Sequence, residues 1–326
     1  MLRLVIRRVL FLIPLLLAVA LCSFFLVRLA PGDFFSELSA NPQISEETIS
    51  ALRERYAPDQ PWHWQFVGWL ARALRGDFGY SLACNCPVSE LIVERVMNTT
   101  ALALAGLLLG LLIALPLGSV SHRFPWLDRA LAFISSLSLS LPSFLLALLA
   151  VLLAAKTGWF PIGGVRSLDY EKFSAPGKLA DFLHHLILPA TVLAVRQAPV
   201  YLRQTRASML EALSQDYILT ARAKGLAERG VIFKHAFRNA ANPIISMLGN
   251  SVGSLLSGAF IVEVVMSWPG LGSLAVSSLL SRDLYALIAC LIYAALLLAL
   301  GNLLGDLLLA AADPRLRRSP PARHQT

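Results

Sequence analysis

Six runs of apolar residues, each of bilayer-spanning length, constrain this chain more than any other feature. They lie at Val9–Ala30, Ala101–Val120, Ala130–Ala155, Leu186–Leu202, Ile244–Val262 and Leu284–Ala310. About 20 residues of helix, rising 1.5 Å each, cross the hydrocarbon core, and a backbone without water must satisfy its own hydrogen bonds. The expected fold is therefore all-α and polytopic, with six transmembrane helices. Composition agrees, since 56% of the 326 residues are hydrophobic and only 15% are charged. A net charge of +8 would suggest nucleic acid in a soluble protein. Here the basic residues flank apolar runs, so membrane topology accounts for them and no nucleic-acid partner is implied.

The first run follows Arg3, Arg7 and Arg8 and contains Ala18-Val-Ala20, a small-x-small pattern found at leader cleavage sites. It continues through Phe24, Phe25 and Leu26, and Leu21 before Cys22 is a poor residue for lipoprotein processing. An uncleaved span is expected. Lysines and arginines set the orientation. With the amino terminus inside, segments 1–8, 121–129, 203–239 and 313–326 hold 16 basic residues in 68 positions. Segments 31–98, 156–183 and 264–283 hold 10 in 116, so both termini are expected in the cytoplasm. The chain then divides into 1–30, an outer insertion 31–98, a transmembrane core 99–312 with an inner loop 203–239, and a tail 313–326.

The outer insertion has nine acidic and five basic residues. Ser45 with Glu46 and Glu47 signals a helix start. Phe66, Trp69, Leu70, Ala73 and Leu74 keep helical spacing, which places that face against the membrane or the bundle. The alternative is direct contact with a substrate. The inner insertion is a charged, helix-forming stretch running Ser214-Gln-Asp-Tyr-Ile-Leu-Thr-Ala-Arg-Ala-Lys-Gly225. Ser214 is expected to cap a helix, Asp216 to favour its first turn, and Lys224 and Gly225 to close it. Ala221 and Gly225, four apart, would leave a bare face for another protein.

Other patterns carry less. Gly249-Asn-Ser-Val-Gly253 matches a nucleophile motif, but it lies within a span and lacks the strand-to-helix context and histidine partner that the motif needs. Gly249, Gly253 and Ser257 recur every four residues, a spacing that lets helices approach closely. The sequence has no phosphate-binding G-x-x-x-x-G-K-[ST] loop and no H-E-x-x-H. Energy must come from a partner or an ion gradient, and the only intramembrane acids, Glu263 and Asp306, sit near span ends. Cys84-Asn-Cys86 is an incidental pair, a strained disulfide or a soft-metal contact. Arg196 lies deep in the fourth span, where a charge must face water or a partner. It meets an anionic substrate, pairs structurally with an acid, or sits as a charge in an aqueous vestibule.

The motifs in order resemble one family over nearly the whole chain. They are Pro31-Gly-Asp33, Asp59-Gln-Pro61, Trp69-Leu70, Gly76-Asp-Phe-Gly79, Pro87-Val88 and Arg95, then Asp216 to Gly225 with His235-Ala-Phe-Arg-Asn239 and Pro243. Ser267-Trp-Pro-Gly-Leu-Gly272 and Asp313-Pro-Arg315 complete the series. The chain resembles the membrane-spanning subunit of the dipeptide, oligopeptide and nickel group of bacterial ATP-binding-cassette importers. One departure is that Leu219, Thr220 and Ala221 stand where the general importer loop has Glu-Ala-Ala.

The resemblance implies a type I importer permease fold and one half of a membrane channel, without catalysis or a cofactor of its own. Expected partners are a second, similar permease subunit, two ATPases that bind the ATP, and an extracytoplasmic binding protein. Coupling to an ATPase would fall to Asp216, Tyr217, Thr220, Ala221, Arg222, Ala223, Lys224, Gly225, Leu226, His235, Arg238 and Asn239. Gly249, Gly253, Ser254 and Ser257 would line the translocation pathway at the interface with the sister subunit; Arg196, unusual for the family like the Cys84/Cys86 pair, is a pathway candidate by its charge within a span. Asp77, Trp268 and Pro269 would meet the binding protein. Dipeptides, longer peptides, nickel and metal chelates all fit as cargo. A self-sufficient carrier or channel, and an intramembrane enzyme using Ser251, are the competing readings.

Overall fold

The computed structural model describes residues 2–29, 46, 47, 50, 61–81 and 83–312. The expected features at Pro31-Gly-Asp33, Ser45, Asp59-Gln60 and Asp313-Pro-Arg315, with the tail 313–326, lie outside the described residues. Glu46 and Glu47 are helical, as their sequence suggests.

The elements in chain order are α1 (Leu2–Leu29), α2 (Trp62–Ala73), β1 (Tyr80–Ser81), β2 (Cys86–Pro87), α3 (Val88–Val120), α4 (Pro125–Ser140) and α5 (Ser143–Thr157). They continue as α6 (Ala175–Leu213), α7 (Asp216–Ala223), α8 (Phe237–Val265), α9 (Leu271–Leu280) and α10 (Leu284–Ala312). Among the described residues the protein is all-α apart from the two-residue strands, which pair antiparallel as Tyr80 with Pro87 and Ser81 with Cys86. All six expected runs are largely helical among the described residues. Three helices among the described residues, at Val88–Arg123, Ala175–Leu213 and Leu284–Leu309, are long and apolar enough to cross a membrane alone. Two bent pairs raise this to five, and the expected first span lies on α1, whose Leu10–Phe25 part is apolar.

The third expected span, Ala130–Ala155, is not one helix. It breaks between α4 and α5, which are bent by 101°. Leu141 takes the extended conformation (φ −84°, ψ 132°) that a following proline imposes, and α5 restarts after Pro142. α5 ends at Gly158, left-handed at φ 66°, whose N–H reaches Ala154 O at 2.9 Å. Prolines 116, 189 and 199 are by contrast carried inside α3 and α6 without ending them. α6 also runs past both ends of the expected Leu186–Leu202 span. Its 39 residues are about 58 Å long, well beyond the hydrocarbon core.

The chain forms two compact units. In the first (Met1–Arg8, Thr100–Trp268, Leu298–Thr326), Leu102, Ala147, Leu186, Leu193, Val262 and Trp268 share one apolar core. Small residues set its tightest seams. A Cβ on Gly106 would fall 2.7 Å from Leu193 Cβ, and one on Gly118 would fall 2.8 Å from Thr205 Cβ. These glycines, with Gly110 and the buried Ala114 between them, put a small residue at every fourth position of α3 where it meets α6. The expected close packing at Gly253 is present but milder, with Leu298 Cδ1 at 3.2 Å. The tighter approach of α8 to α10 is at Gly301, where a Cβ would meet Val252 Cγ1 at 2.3 Å. The segment after α5 is tied to the start of α6. Ser167 donates its N–H (2.9 Å) and hydroxyl (2.5 Å) to the Asp181 carboxylate, and His184 Nε2 lies 2.8 Å from Trp159 O.

In the second unit (Val9–Thr99, Pro269–Leu297), Ala20, Phe24, Trp69 and Ile288 form one core, and Val88, Ile92, Leu271, Leu274 and Ala289 another. Asp283 is buried and caps α10, with its Oδ1 accepting Ala286 N–H at 3.2 Å. Its Oδ2 accepts the Ser81 hydroxyl at 2.5 Å, which locks the hairpin to the helix. Cys84 and Cys86 at the hairpin are free thiols rather than a disulfide, and burial pushes the Cys86 thiol up. Among the described residues no three His, Cys, Asp or Glu side chains gather as a metal site.

Candidate functional site

The loop 203–239 begins as a continuation of α6, which ends at Leu213 with Ser214 as its C-cap. Ser214 does not cap the next helix as expected. Its hydroxyl donates backwards to Glu211 O (2.8 Å), because the residue closes α6, and Gln215 instead sits at the start of α7 without a side-chain cap. The closing signal is as expected. Gly225 is left-handed at φ 73°, its N–H bonds Arg222 O (2.9 Å), and Leu226 N–H reaches Ala221 O (3.4 Å). This pair of bonds is the Schellman arrangement, which needs a residue at ease with positive φ.

One face of α7 is spoken for. Ile218 and Ala221 are buried with Met209, Ala212, Val231, Ile232, Ala236 and Ala240. The bare surface expected at Ala221 (5% exposed) is therefore turned into the protein's own core, and Ala221 is not available to a partner. A π-helical turn, Val231–Ala236, supplies the wall against which it packs. Asp216, Tyr217, Thr220, Arg222, Ala223, Lys224, Gly225, Leu226, Arg238 and Asn239 are exposed, and His235 is half-buried. A Cβ on Gly225 would meet nothing within 4 Å. Sequence reading missed Leu219 (60% exposed) and Phe233 (54%), large apolar side chains left open in a charged segment. Apolar residues without helical partners inside a basic loop are the signal that would have found them.

Ion pairs brace this region. Arg222 Nη2 and Nε reach the two oxygens of Glu228 at 2.9 and 3.3 Å, and Arg123 Nη2 reaches the same carboxylate at 3.3 Å. Hydrogen bonding from Arg222, with the Arg222 and Arg123 charges, holds the Glu228 carboxyl below the usual carboxylate range. Arg206 makes a two-pronged pair with Asp128, joining α6 to α4, and Arg203 donates to Ser136 Oγ at 3.2 Å. Arg222 thus faces its own chain as well as solvent.

The expected pathway residues fall on α6 and α8. Arg196 is exposed, and no hydrogen bond or ion pair engages it among the described residues. It is not paired with Asp306, whose carboxylate lies 2.5 Å from Arg8 Nη2, while Glu263 is fully buried. Gln197 beside it, unnoticed in the sequence, is buried and donates to Ser254 Oγ at 2.9 Å, linking α6 to α8. Ser257 is exposed and bonds Gly253 O at 3.0 Å, and Gly249 lies within α8. The Ser251 hydroxyl donates to Met247 O at 2.8 Å, an ordinary back-bond within a helix.

The residues expected at the binding-protein contact are divided. Asp77 is exposed and accepts Gly79 N–H at 2.9 Å, shaping the turn after α2. Pro269 is half-buried, its carbonyl accepting from Asn98 at 2.8 Å. Trp268 is fully buried and lies 6.0 Å from the Phe182 ring, so an indole expected on the surface is part of the core.

Comparison with known proteins identifies the family. Residues 106–318 match the family described as binding-protein-dependent transport system inner membrane component, and residues 1–103 match the N-terminal region of such components. The chain is 40% identical to the oligopeptide transport system permease protein AppB of Bacillus subtilis (strain 168), over 96% of this chain and 98% of that protein. It is 37% identical to the glutathione transport system permease protein GsiC of Salmonella choleraesuis (strain SC-B67), over 97% and 99%. A putative peptide permease protein of Brucella suis biovar 1 (strain 1330) shares 36% identity over 97% and 99%. The chain belongs to the family of binding-protein-dependent transport system inner membrane components.

Proposed function

We propose that this protein is a permease subunit of an ATP-driven importer that carries peptides or peptide-like solutes of the glutathione kind across the inner membrane. The resemblance also admits nickel and metal chelates, but oligopeptide and glutathione are the cargoes named for the relatives. In this reading a second permease subunit completes the channel, two ATPases dock on the cytoplasmic loops, and a binding protein delivers the cargo. Both termini lie in the cytoplasm. The observation that carries the coupling role is α7 itself, a helix pinned by Ile218 and Ala221 that turns Tyr217, Leu219, Thr220 and Lys224 outward. Movement of a docked ATPase pair would rock the spans between two states through this rigid attachment.

Gly225→Trp in the reconstituted complex tests it. The substitution adds bulk to open surface, while Gly225→Asn keeps a residue tolerant of positive φ. Membrane insertion is expected to survive in both. ATP-dependent uptake is expected to be lost in Gly225→Trp and largely kept in Gly225→Asn. Normal uptake and normal ATPase co-purification in Gly225→Trp would sink the assignment. Uptake by this chain alone, sensitive to a proton or sodium gradient, would favour the self-sufficient carrier.

Arg196 is the residue we assign to cargo. A guanidinium offers a planar fork of donors to a carboxylate, and a central arginine facing hydrocarbon would cost roughly 2.5–3.5 kcal/mol by insertion scales. Arg196→Lys keeps the charge but loses the fork and is expected to raise the half-saturating peptide concentration. Arg196→Leu is expected to assemble and recruit ATPase yet transport poorly. Unchanged rate and affinity in Arg196→Leu would remove Arg196 from the pathway.

A further inference from the structure

Helix α2 has two apolar faces, and the bundle uses one of them. Phe66, Trp69 and Leu70 turn toward Ala20 and Phe24 of α1 and Ile288 of α10. On the opposite side Trp64 (62% exposed), Val67 and Ala71 stand open, at intervals of three and four residues that make one stripe, and Leu74, expected on the inward face, is exposed at the helix end instead. Arg72 and Arg75 lie beside this stripe at its carboxyl end, and both are exposed. No described residue covers it.

The stripe is not isolated. Leu10, Ile13, Leu17, Leu21 and Phe25 form an exposed apolar row along α1, the surface that a spanning helix gives to lipid. Phe25, at the end of that row, meets the exposed Trp62 of α2 ring to ring, with centroids 6.4 Å apart. A second ring pair, Phe24 with Phe66 at 5.5 Å, fixes α2 to the same end of α1. Apolar surface therefore continues from the span onto the short helix.

We propose that the outward face of α2 rests in the phospholipid bilayer at the boundary of acyl chains and headgroups, as an anchor beside the first span. Tryptophan favours that depth because its ring is apolar and its N–H is not. Two arginines at one end of the stripe suit the phosphates of the headgroups, since a long arginine side chain can lay its stem on apolar surface and hold its charge in the polar layer. Trp69 directs its indole N–H inward to Phe78 O (3.1 Å), so Trp64 and Trp69 of this helix serve different environments. The proposal rests on α1 being a span, and the test separates the two.

Spin labels report it. Trp64→Cys, Val67→Cys and Ala71→Cys are placed singly in a background lacking the four native cysteines, in the full importer complex reconstituted into phospholipid vesicles. Leu17→Cys on α1 and Leu168→Cys on a fully exposed loop are the references. Collision rates with oxygen and with a water-soluble nickel chelate are compared. Labels at 64, 67 and 71 are expected to favour oxygen several-fold over the label at 168, approaching the one at 17. Nickel-chelate access equal to position 168 at all three would overturn the proposal. Immobilised spectra with low access to both reagents would overturn it in favour of a protein partner. Water access at position 17 would instead overturn the span. Ala71→Cys, the mildest change, keeps the answer readable should Trp64→Cys fail to fold.

Discussion

The two short helices α2 and α7 are anchored alike and finished differently. α2 is held by Trp69 and Phe66, and α7 by Ile218 and Ala221. Away from the anchor, α2 presents Trp64, Val67 and Ala71, whereas α7 presents Thr220, Arg222 and Lys224 beside Tyr217 and Leu219. A single amphipathic pattern thus positions each helix, but the second face decides what can cover it. Apolar residues with a tryptophan and flanking arginines suit a bilayer surface, and a mixed charged and apolar face suits a protein. The anchors differ as well. α2 fills its contact with the largest side chain available, and α7 fills its own with a methyl group and one isoleucine.

The largest expected effect lies at the α2 anchor. Trp69→Ala removes a fully buried indole and its bond to Phe78 O, and large-to-small changes of this kind cost about 3–5 kcal/mol. Trp64→Ala, on the open face of the same helix, is expected to shift stability by no more than about 0.5 kcal/mol in detergent. Thermal unfolding followed by circular dichroism measures both. Equal effects would mean that the two faces are not distinct. At α7 the contrast is smaller. Ala221→Leu forces extra volume into a packed core at about 1–3 kcal/mol, while Ala223→Leu, on the exposed side, is expected to change stability by about 0.5 kcal/mol or less. A loss of ATP-driven uptake in Ala223→Leu, with its melting temperature unchanged, would sharpen the assignment of that face to a partner.

Much of this was legible in the sequence because hydrophobic runs report membrane helices directly. The helical character of all six runs, the Gly225 stop and the helical face Phe66–Trp69–Leu70 follow from periodicity and left-handed glycine chemistry. What the sequence hid was mostly direction. Ala221 is small and next to charges, which suggested an open face, yet a methyl group is equally what a close inward contact requires. Trp268 lies in a run of small and turn-forming residues, and only the fold shows that its ring joins the Leu186 and Val262 core. The Leu141-Pro142 break was visible as a proline, but prolines 189 and 199 leave α6 unbroken, so the residue alone does not decide. Asp283 went unremarked in the sequence, although an acidic residue before Leu284 is an ordinary helix cap. Its bond to Ser81, 202 residues away in sequence, has no local signal.

The smallest expected effect concerns Glu228, which joins Arg222 of α7 to Arg123 and so links the helix to the end of α3. Its carboxyl is held below its ordinary value of 4.5, chiefly by hydrogen bonding from Arg222. A depressed folded-state value favours the folded protein wherever the carboxyl is ionised, and that contribution disappears as pH falls through the folded value. The Glu228 carboxylate is exposed, so screening keeps the effect slight at ordinary salt. Glu228→Gln is expected to lower the melting temperature slightly near neutral pH and low salt. The difference from wild type is expected to vanish well below pH 4.5 and to shrink in high salt. A difference that persists at low pH would show that the side chain acts through packing rather than charge, and α7 would then be held entirely by its buried face, as α2 is.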